Sequence, residues 1–191
     1  MSNESETSIC NMALGGIGAE RISDINSSSV NAVHCQLHYP HTRDALQRSF
    51  EWSFAIAQSE LSEDSETPDF HYDHQFLLPD DFQRVTINWD DNCDFDYAIQ
   101  GQLLLTDEDE IDLEYIKQVT DTTVFDDLFV EVLVLKLQLK LLHPVAGTGA
   151  TALQLKQGIL IELKDALSRA KCVNDNELNT SGGYRWSPEW E

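Results

Sequence analysis

The run LFVEVLVLKLQLKLL, Leu128 to Leu142, limits the possible folds of this chain more than any other stretch. Only Glu131, Lys136, Gln138 and Lys140 interrupt its apolar residues, so nearly every side of it needs cover. Two periodicities compete. Leu133, Leu135, Leu137, Leu139 and Leu141 alternate as on a strand, whereas Leu128, Val132, Leu135, Leu139 and Leu142 follow helical spacing. Length and the density of good helix formers favour a helix, either central and buried or packed against other subunits. Pro144 and Gly147 end it. The run falls short of the roughly 20 apolar residues that a membrane-crossing helix needs.

Helical patterns flank this run on both sides. Thr7 or Ser8 can cap a short helix carrying Ile9, Met12, Ala13 and Leu14, which Gly15, Gly16 and Gly18 terminate. Ile22 and Ile25 read as a short buried crossing. The cluster Asn26-Ser-Ser-Ser then caps a longer helix with the apolar stripe Ala32, Cys35, Tyr39, Leu46 and Phe50. Pro40 interrupts that stripe, so a kink or break is expected near Leu37. Trp52, Phe54 and Ala55 extend the apolar surface, and Trp52 and Phe54 read as core. A last helix, about Thr151 to Val173, places Leu155, Ile159, Leu163, Ala166 and Ala170 on one face.

Between these helices the chain turns acidic. Residues 60–127 hold 21 acids and two bases, Arg84 and Lys117, whereas the whole chain carries a net charge of -22. SEDSETPD, from Ser62, reads as a linker. Strands are expected over Phe76–Leu78 and, after the turn Pro79-Asp80-Asp81, over Phe82–Trp89. Tyr97–Ile99 and Leu103–Leu105 flank Gln100-Gly101 as a hairpin, and Ile111, Leu113 and Tyr115 alternate with acids. So much negative charge argues against binding nucleic acid through its phosphates. It also keeps copies apart until a specific partner offers contacts.

The 41% hydrophobic content is that of a folding chain. MSNESETS has no apolar segment of the secretory kind. Cys10, Cys35, Cys93 and Cys172 are scattered without a C-x-x-C pair, and are read as small buried hydrophobes in a reducing compartment.

No stretch spells out catalysis. His34, Cys35, His38 and His41 form the most metal-like cluster, and His34 and His38 are i,i+4. No glutamate sits where H-E-x-x-H requires one, so these read as surface or satisfied histidines. DDNCDFD, Asp90 to Asp96, places Asp90, Asn92 and Asp94 like a calcium loop. Phe95 stands where such a loop needs Gly, and Gly101 where it needs Glu. DEDE, Asp107 to Glu110, could supply the paired carboxylates of glycoside hydrolysis, but four adjacent acids more simply solvate a turn. GGIG, Gly15 to Gly18, lacks the preceding strand of a dinucleotide site. The expectation is therefore no catalytic, cofactor or metal residue.

Taken in order, four pieces resemble the head-to-tail adaptor family of tailed phages, also called tail accessory factors or tail tubular protein A. They are NMALGGIGAERISDIN (Asn11–Asn26), NAVHCQLHYPHTRDALQRSFEWSFA (Asn31–Ala55), FLLPDDFQRV (Phe76–Val85) and YAIQGQLLLTDEDEIDLEYIKQVTDTTVFDDLFVEVL (Tyr97–Leu133). Cys35, Tyr39, Pro40, Arg43, Asp44, Trp52 and Phe54 are the residues that match the family's pattern. The resemblance covers roughly residues 8–173. LQLKLLHPVAG is more leucine-rich than that pattern, and the polar tail NDNELNTSGGYRWSPEWE lies outside it.

The resemblance implies a non-enzymatic virion protein at the head–tail junction, assembled in the host cytoplasm. It would bind the portal protein's ring after genome packaging and form a ring itself, typically a dodecamer. That ring would extend the DNA channel and offer a platform to the next tail component, a nozzle or a tail tube or terminator. The genome would pass without specific binding, and no membrane or cofactor is implied. Tyr184, Trp186 and Trp190 of the tail, with Leu135 and Leu139, are the interface candidates. Two other readings compete: a tail-associated peptidoglycan-degrading hydrolase, and an unrelated acidic protein-binding module. The expected fold is α+β, mainly α: a helical bundle core with an inserted small acidic antiparallel β region and an extended C-terminal tail. Its parts are residues 1–61 and 121–173 for the core, 62–120 for the insertion and 174–191 for the tail.

Overall fold

A computed structural model of the chain describes residues 4–92, 95–147 and 149–179. The fold is α+β and mainly helical, with two small antiparallel sheets in an insertion. Among the described residues, one compact unit comprises residues 4–46 and 121–179, the other Gln47–Thr120.

In the helical unit, α1 spans Glu6–Gly16, α2 Val30–Arg48, α4 Asp127–Leu141 and α5 Ala150–Asn179. The ambiguous leucine run is a helix, α4. Asp126 caps it, its carboxylate accepting from the N–H groups of Leu128 (2.8 Å) and Phe129 (3.3 Å). α4 is central, packed against α1 and α5, and buries Phe129, Val130, Val132, Leu133, Leu135, Leu137 and Leu141. Gly16 lets α1 approach closely: a Cβ there would lie 2.1 Å from Nε2 of the buried Gln138. One π-helical turn, Leu142–Ala146, then ends α4, and Gly147 at φ 78° reverses the chain.

Ser5, not Thr7 or Ser8, caps α1, accepting from Ser8 N–H at 3.2 Å. Thr7 is used elsewhere, its hydroxyl accepting from Ile25 N–H at 3.1 Å. The α1–α2 connection is held by side chains rather than by regular structure. The Asn11 amide donates to Ile22 C=O (2.9 Å) and accepts from Ile22 N–H (2.8 Å). Asn31 donates to Glu20 C=O (3.0 Å) and Gln36 to Ile25 C=O (2.7 Å). These bonds satisfy backbone groups that a loop would otherwise leave unpaired, and Ile22 and Ile25 are buried as expected.

The break expected near Leu37 does not occur: α2 runs on through Pro40. Pro40 removes one backbone donor, but Cys35, Tyr39 and Leu46 are buried on either side of it, and that packing outweighs the lost bond. α5 extends six residues beyond Val173, so residues 174–179, assigned to the tail by composition, are helical. Asn174 is buried, which continues the inward face one turn past Ala170.

The second unit begins at Gln47, earlier than residue 62, because the chain enters a strand well before the acidic stretch. That strand, β1 (Ile56–Glu60), pairs with β7 (Asp112–Lys117), and β7 with β4 (Phe82–Val85). The other sheet runs β2 (Ser62–Glu63), β3 (His74–Leu77), β6 (Leu103–Thr106), β5 (Tyr97–Gln100). Part of the supposed linker is thus strand β2. β5 and β6 form the expected hairpin, with Gly101 at φ 63° in its turn. The strand expected over Phe82–Trp89 stops at Val85 and gives way to a short helix, α3 (Ile87–Asn92), because Trp89 turns to donate from its indole to Asp112 C=O at 2.6 Å. Leu61, Phe76, Leu78, Leu104, Ile111, Leu113 and Tyr115 form the core of this unit. The buried Gln47 amide closes its two ends, donating to Val119 C=O (2.8 Å) and accepting from Val119 N–H (3.1 Å).

Trp52 is 1% exposed, its ring 5.4 Å from Phe50 and 6.4 Å from Phe54, and Phe54 is half-buried. Trp52→Ala is expected to cost about 3–5 kcal/mol in urea unfolding; an unchanged midpoint would remove Trp52 from the core. Asn11→Ala, which frees both Ile22 backbone groups, is expected to cost about 1–3 kcal/mol in the same measurement.

Candidate functional site

The residues of the adaptor-like signature fall into two places. Cys35, Tyr39 and Arg43 belong to the inward side of α2 against α1, and Asp44, half-buried, sits beside Arg43. The Cys10 and Cys35 thiols hydrogen-bond to each other there; that bond, with burial, pushes the Cys10 thiol far up. Arg43, 6% exposed, donates to Asp44 at 2.8 Å, pairs with Glu6 at 3.7 Å and lies 5.8 Å from the Tyr39 ring centroid. Burial pushes the Tyr39 hydroxyl well up. These groups hold helices together, a structural use of the signature. Trp52 and Phe54 serve the other unit. Pro40 is on the exposed side of α2.

The histidines do not converge on a metal site, and among the described residues no three His, Cys, Asp or Glu side chains do. His34 and His38 are half-buried and His41 is exposed. Burial first, then His34, Lys140 and His41 nearby, lower the proton affinity of His38. A lysine beside the cluster repels a cation for the same reason.

Asp107–Glu110 form an exposed turn between β6 and β7. Asp107 accepts from Asp73 N–H at 3.0 Å. Asp109 lies 3.2 Å from Nε2 of His74, whose Nδ1 is 2.7 Å from Glu63. The hydrogen bond to Glu63, followed by Asp109 and Asp73, raises the proton affinity of His74. These acids solvate a turn and bind a histidine; they do not face each other across a cleft. Asp90 and Asn92 lie in α3 rather than a calcium loop, and Cys93 and Asp94 lie outside the described residues. Cys172 is exposed, against the expectation of burial, because it falls on the outer side of α5.

Of the interface candidates, Leu135 is 4% exposed and belongs to the chain's own core, so it offers nothing to a partner. Leu139 is half-buried and lines an open depression of about 260 Å³ with Leu142, His143, Ala152, Leu153 and Lys156. Tyr184, Trp186 and Trp190 lie outside the described residues. Periodicity along single elements did not reveal the outward face of α2, where Val30, Val33 and Leu37 are 72%, 51% and 59% exposed. The signal was present: the three recur at i, i+3 and i+7, opposite the stripe that faces inward.

No protein-family model and no curated protein matches this chain. Among the described residues no helix is long and apolar enough to cross a membrane.

The two perturbed histidines give opposite pH signatures. His74, raised in the fold, contributes stability that is complete below the ordinary histidine value and is lost as pH rises through its folded value. His38, lowered, opposes folding once pH falls below the ordinary value. An NMR titration of the imidazoles is expected to place His74 above and His38 below a peptide histidine; the reverse order would contradict the surroundings described for both.

Proposed function

We propose that this chain is a non-enzymatic connector of a tailed-phage virion, an adaptor that sits at the head–tail junction and works by assembling into a ring. In this reading it binds the portal ring, extends the DNA channel and presents a platform to the next tail component. The observation that carries the reading is the separation of charge between the two units. Gln47–Thr120 holds 19 acids against three bases, and the four-acid turn among them is solvated rather than gathered around a cavity. A surface of that sign repels DNA phosphates and lets a duplex pass without adhering. The adaptor-like order of sequence pieces supports the reading, and its residues serve the packing of the chain.

The hydrolase reading requires two carboxyl groups facing a sugar, one of them kept protonated by its surroundings. Asp107–Glu110 are open to water and partly committed to His74 and Asp73, which disfavours it.

Light scattering after gel filtration, on the protein alone and mixed with portal rings of its phage, tests the proposal. The expected result is a species that joins portal rings at about one copy per portal subunit, or a discrete ring that forms unaided and then joins them. A protein indifferent to portal would overturn the connector reading.

A further inference from the structure

We propose that His74 is a pH-operated clasp in the β unit: as imidazolium it ties the Asp107–Glu110 turn to β3, and as neutral imidazole it releases the Asp109 end of that turn while keeping β2. The clasp goes beyond the connector reading and does not depend on it.

His74 opens β3, half-buried, between two acids from distant parts of the chain. Its Nδ1 is 2.7 Å from Glu63 Oε1 on β2, and its Nε2 is 3.2 Å from Asp109 Oδ1 in the turn between β6 and β7. An ionised carboxylate only accepts hydrogen bonds, so both ring nitrogens have to donate if both contacts are bonds. Imidazolium carries two N–H groups, whereas neutral imidazole has one donor and one bare acceptor. The closed clasp is therefore a charged histidine.

Its surroundings are of one sign. β2 and the residue after it bring Glu63 and Asp64, the residue before β3 is Asp73, and the turn brings Asp107, Glu108, Asp109 and Glu110. Thr106, opposite His74 on β6, is uncharged. Among the described residues no lysine or arginine pairs with any of these acids. The hydrogen bond to Glu63 does most to raise the proton affinity of His74, and Asp109 and Asp73 add to it. The clasp is thus closed below the ordinary histidine value and opens as pH rises through the higher folded value.

Loss of the proton strikes the two contacts unequally. The shorter one keeps its N–H, so Nδ1 goes on donating to Glu63 and Nε2 turns a lone pair toward the Asp109 carboxylate. β2 has other ties. Ser62 and Glu63 pair with Leu77 and Phe76, Asp64 N–H donates to Gln75 C=O at 2.8 Å, and the Gln75 amide donates to Asp64 at 3.0 Å. The Asp109 side chain is 92% exposed, and among the described residues it pairs with no other cation. Asp107 still accepts from Asp73 N–H at 3.0 Å, so the turn swings about its near end. What pH moves is the far half of a run of four adjacent acids.

NMR of the ¹³C,¹⁵N-labelled full chain, from about pH 5.5 to about pH 9 and so above the range of ordinary carboxylates, tests the clasp. The NOE between the His74 ring protons and the Asp109 β protons is expected to fall roughly threefold, the size of effect an exposed ion pair allows. Its midpoint is expected to match the titration of His74 itself, with the Glu63 contact kept and the Nδ1–H tautomer present at high pH. A constant Asp109 contact, a midpoint that follows His71 instead, or an Nε2–H tautomer with Glu63 released would each overturn the clasp. Asp109→Asn is expected to hold the turn at every pH, because its amide can donate to the bare Nε2; a wild-type pH response in that variant would overturn it too. His74→Gln is expected to leave the Glu108–Glu110 amides equally mobile at both ends of the range by ¹⁵N relaxation. A wild-type pH response there would reassign the switch to another group. None of these outcomes touches the portal test, so the clasp and the connector reading fail separately.

Discussion

An almost wholly apolar helix has to be covered on every side, and the helical unit is organised by that need. α4 buries eight side chains, including one glutamine, and takes its cover from α1 and α5, which come from opposite ends of the sequence. The insertion separates α2 from α4 along the chain, so α1 must reach α4 across a long sequence gap. Gly16 is where this shows most plainly, because the Gln138 side chain occupies the space a Cβ would need. Burial on this scale, at about 25 cal/mol per Å² of apolar surface, is what tolerates local faults such as Pro40 inside α2.

Where regular structure ends, side-chain amides take over the same task. Asn11 and Gln47 each grip one residue's backbone from both sides, at Ile22 and Val119. Each clamp replaces a pair of sheet-like bonds without requiring a strand. The first fixes the crossing between α1 and α2, and the second fixes the ends of the β unit to one another.

Features that depend on local pattern were legible in the sequence. The helical state of α4, the β5–β6 hairpin, the buried Ile22 and Ile25 and the inward face of α5 all follow from length, spacing and turn chemistry. What escaped depends on partners far along the chain. β1 is IAQSE, too polar to announce itself, and is a strand because β7 lies beside it. The strand expected through Trp89 ends early because the indole finds a carbonyl on β7. Leu135 and Leu139 looked alike, both outward candidates on a leucine-rich helix. Only tertiary packing separates them, burying the first and leaving the second at the rim of a depression. The histidines of α2 were seen as a cluster, but Lys140, which helps lower the proton affinity of His38, comes from another helix.

Uneven charge is the property most open to selection without disturbing either core. A net charge of -22 spread evenly would oppose every encounter between copies, at a strength set by ionic strength alone. Concentrating most of it in Gln47–Thr120 changes the problem. Repulsion is then strongest around one unit, whereas the rest of the chain carries 15 acids against nine bases and presents a much weaker field to whatever approaches it. The two cores are untouched by this division, because the acids that make it are mostly solvated.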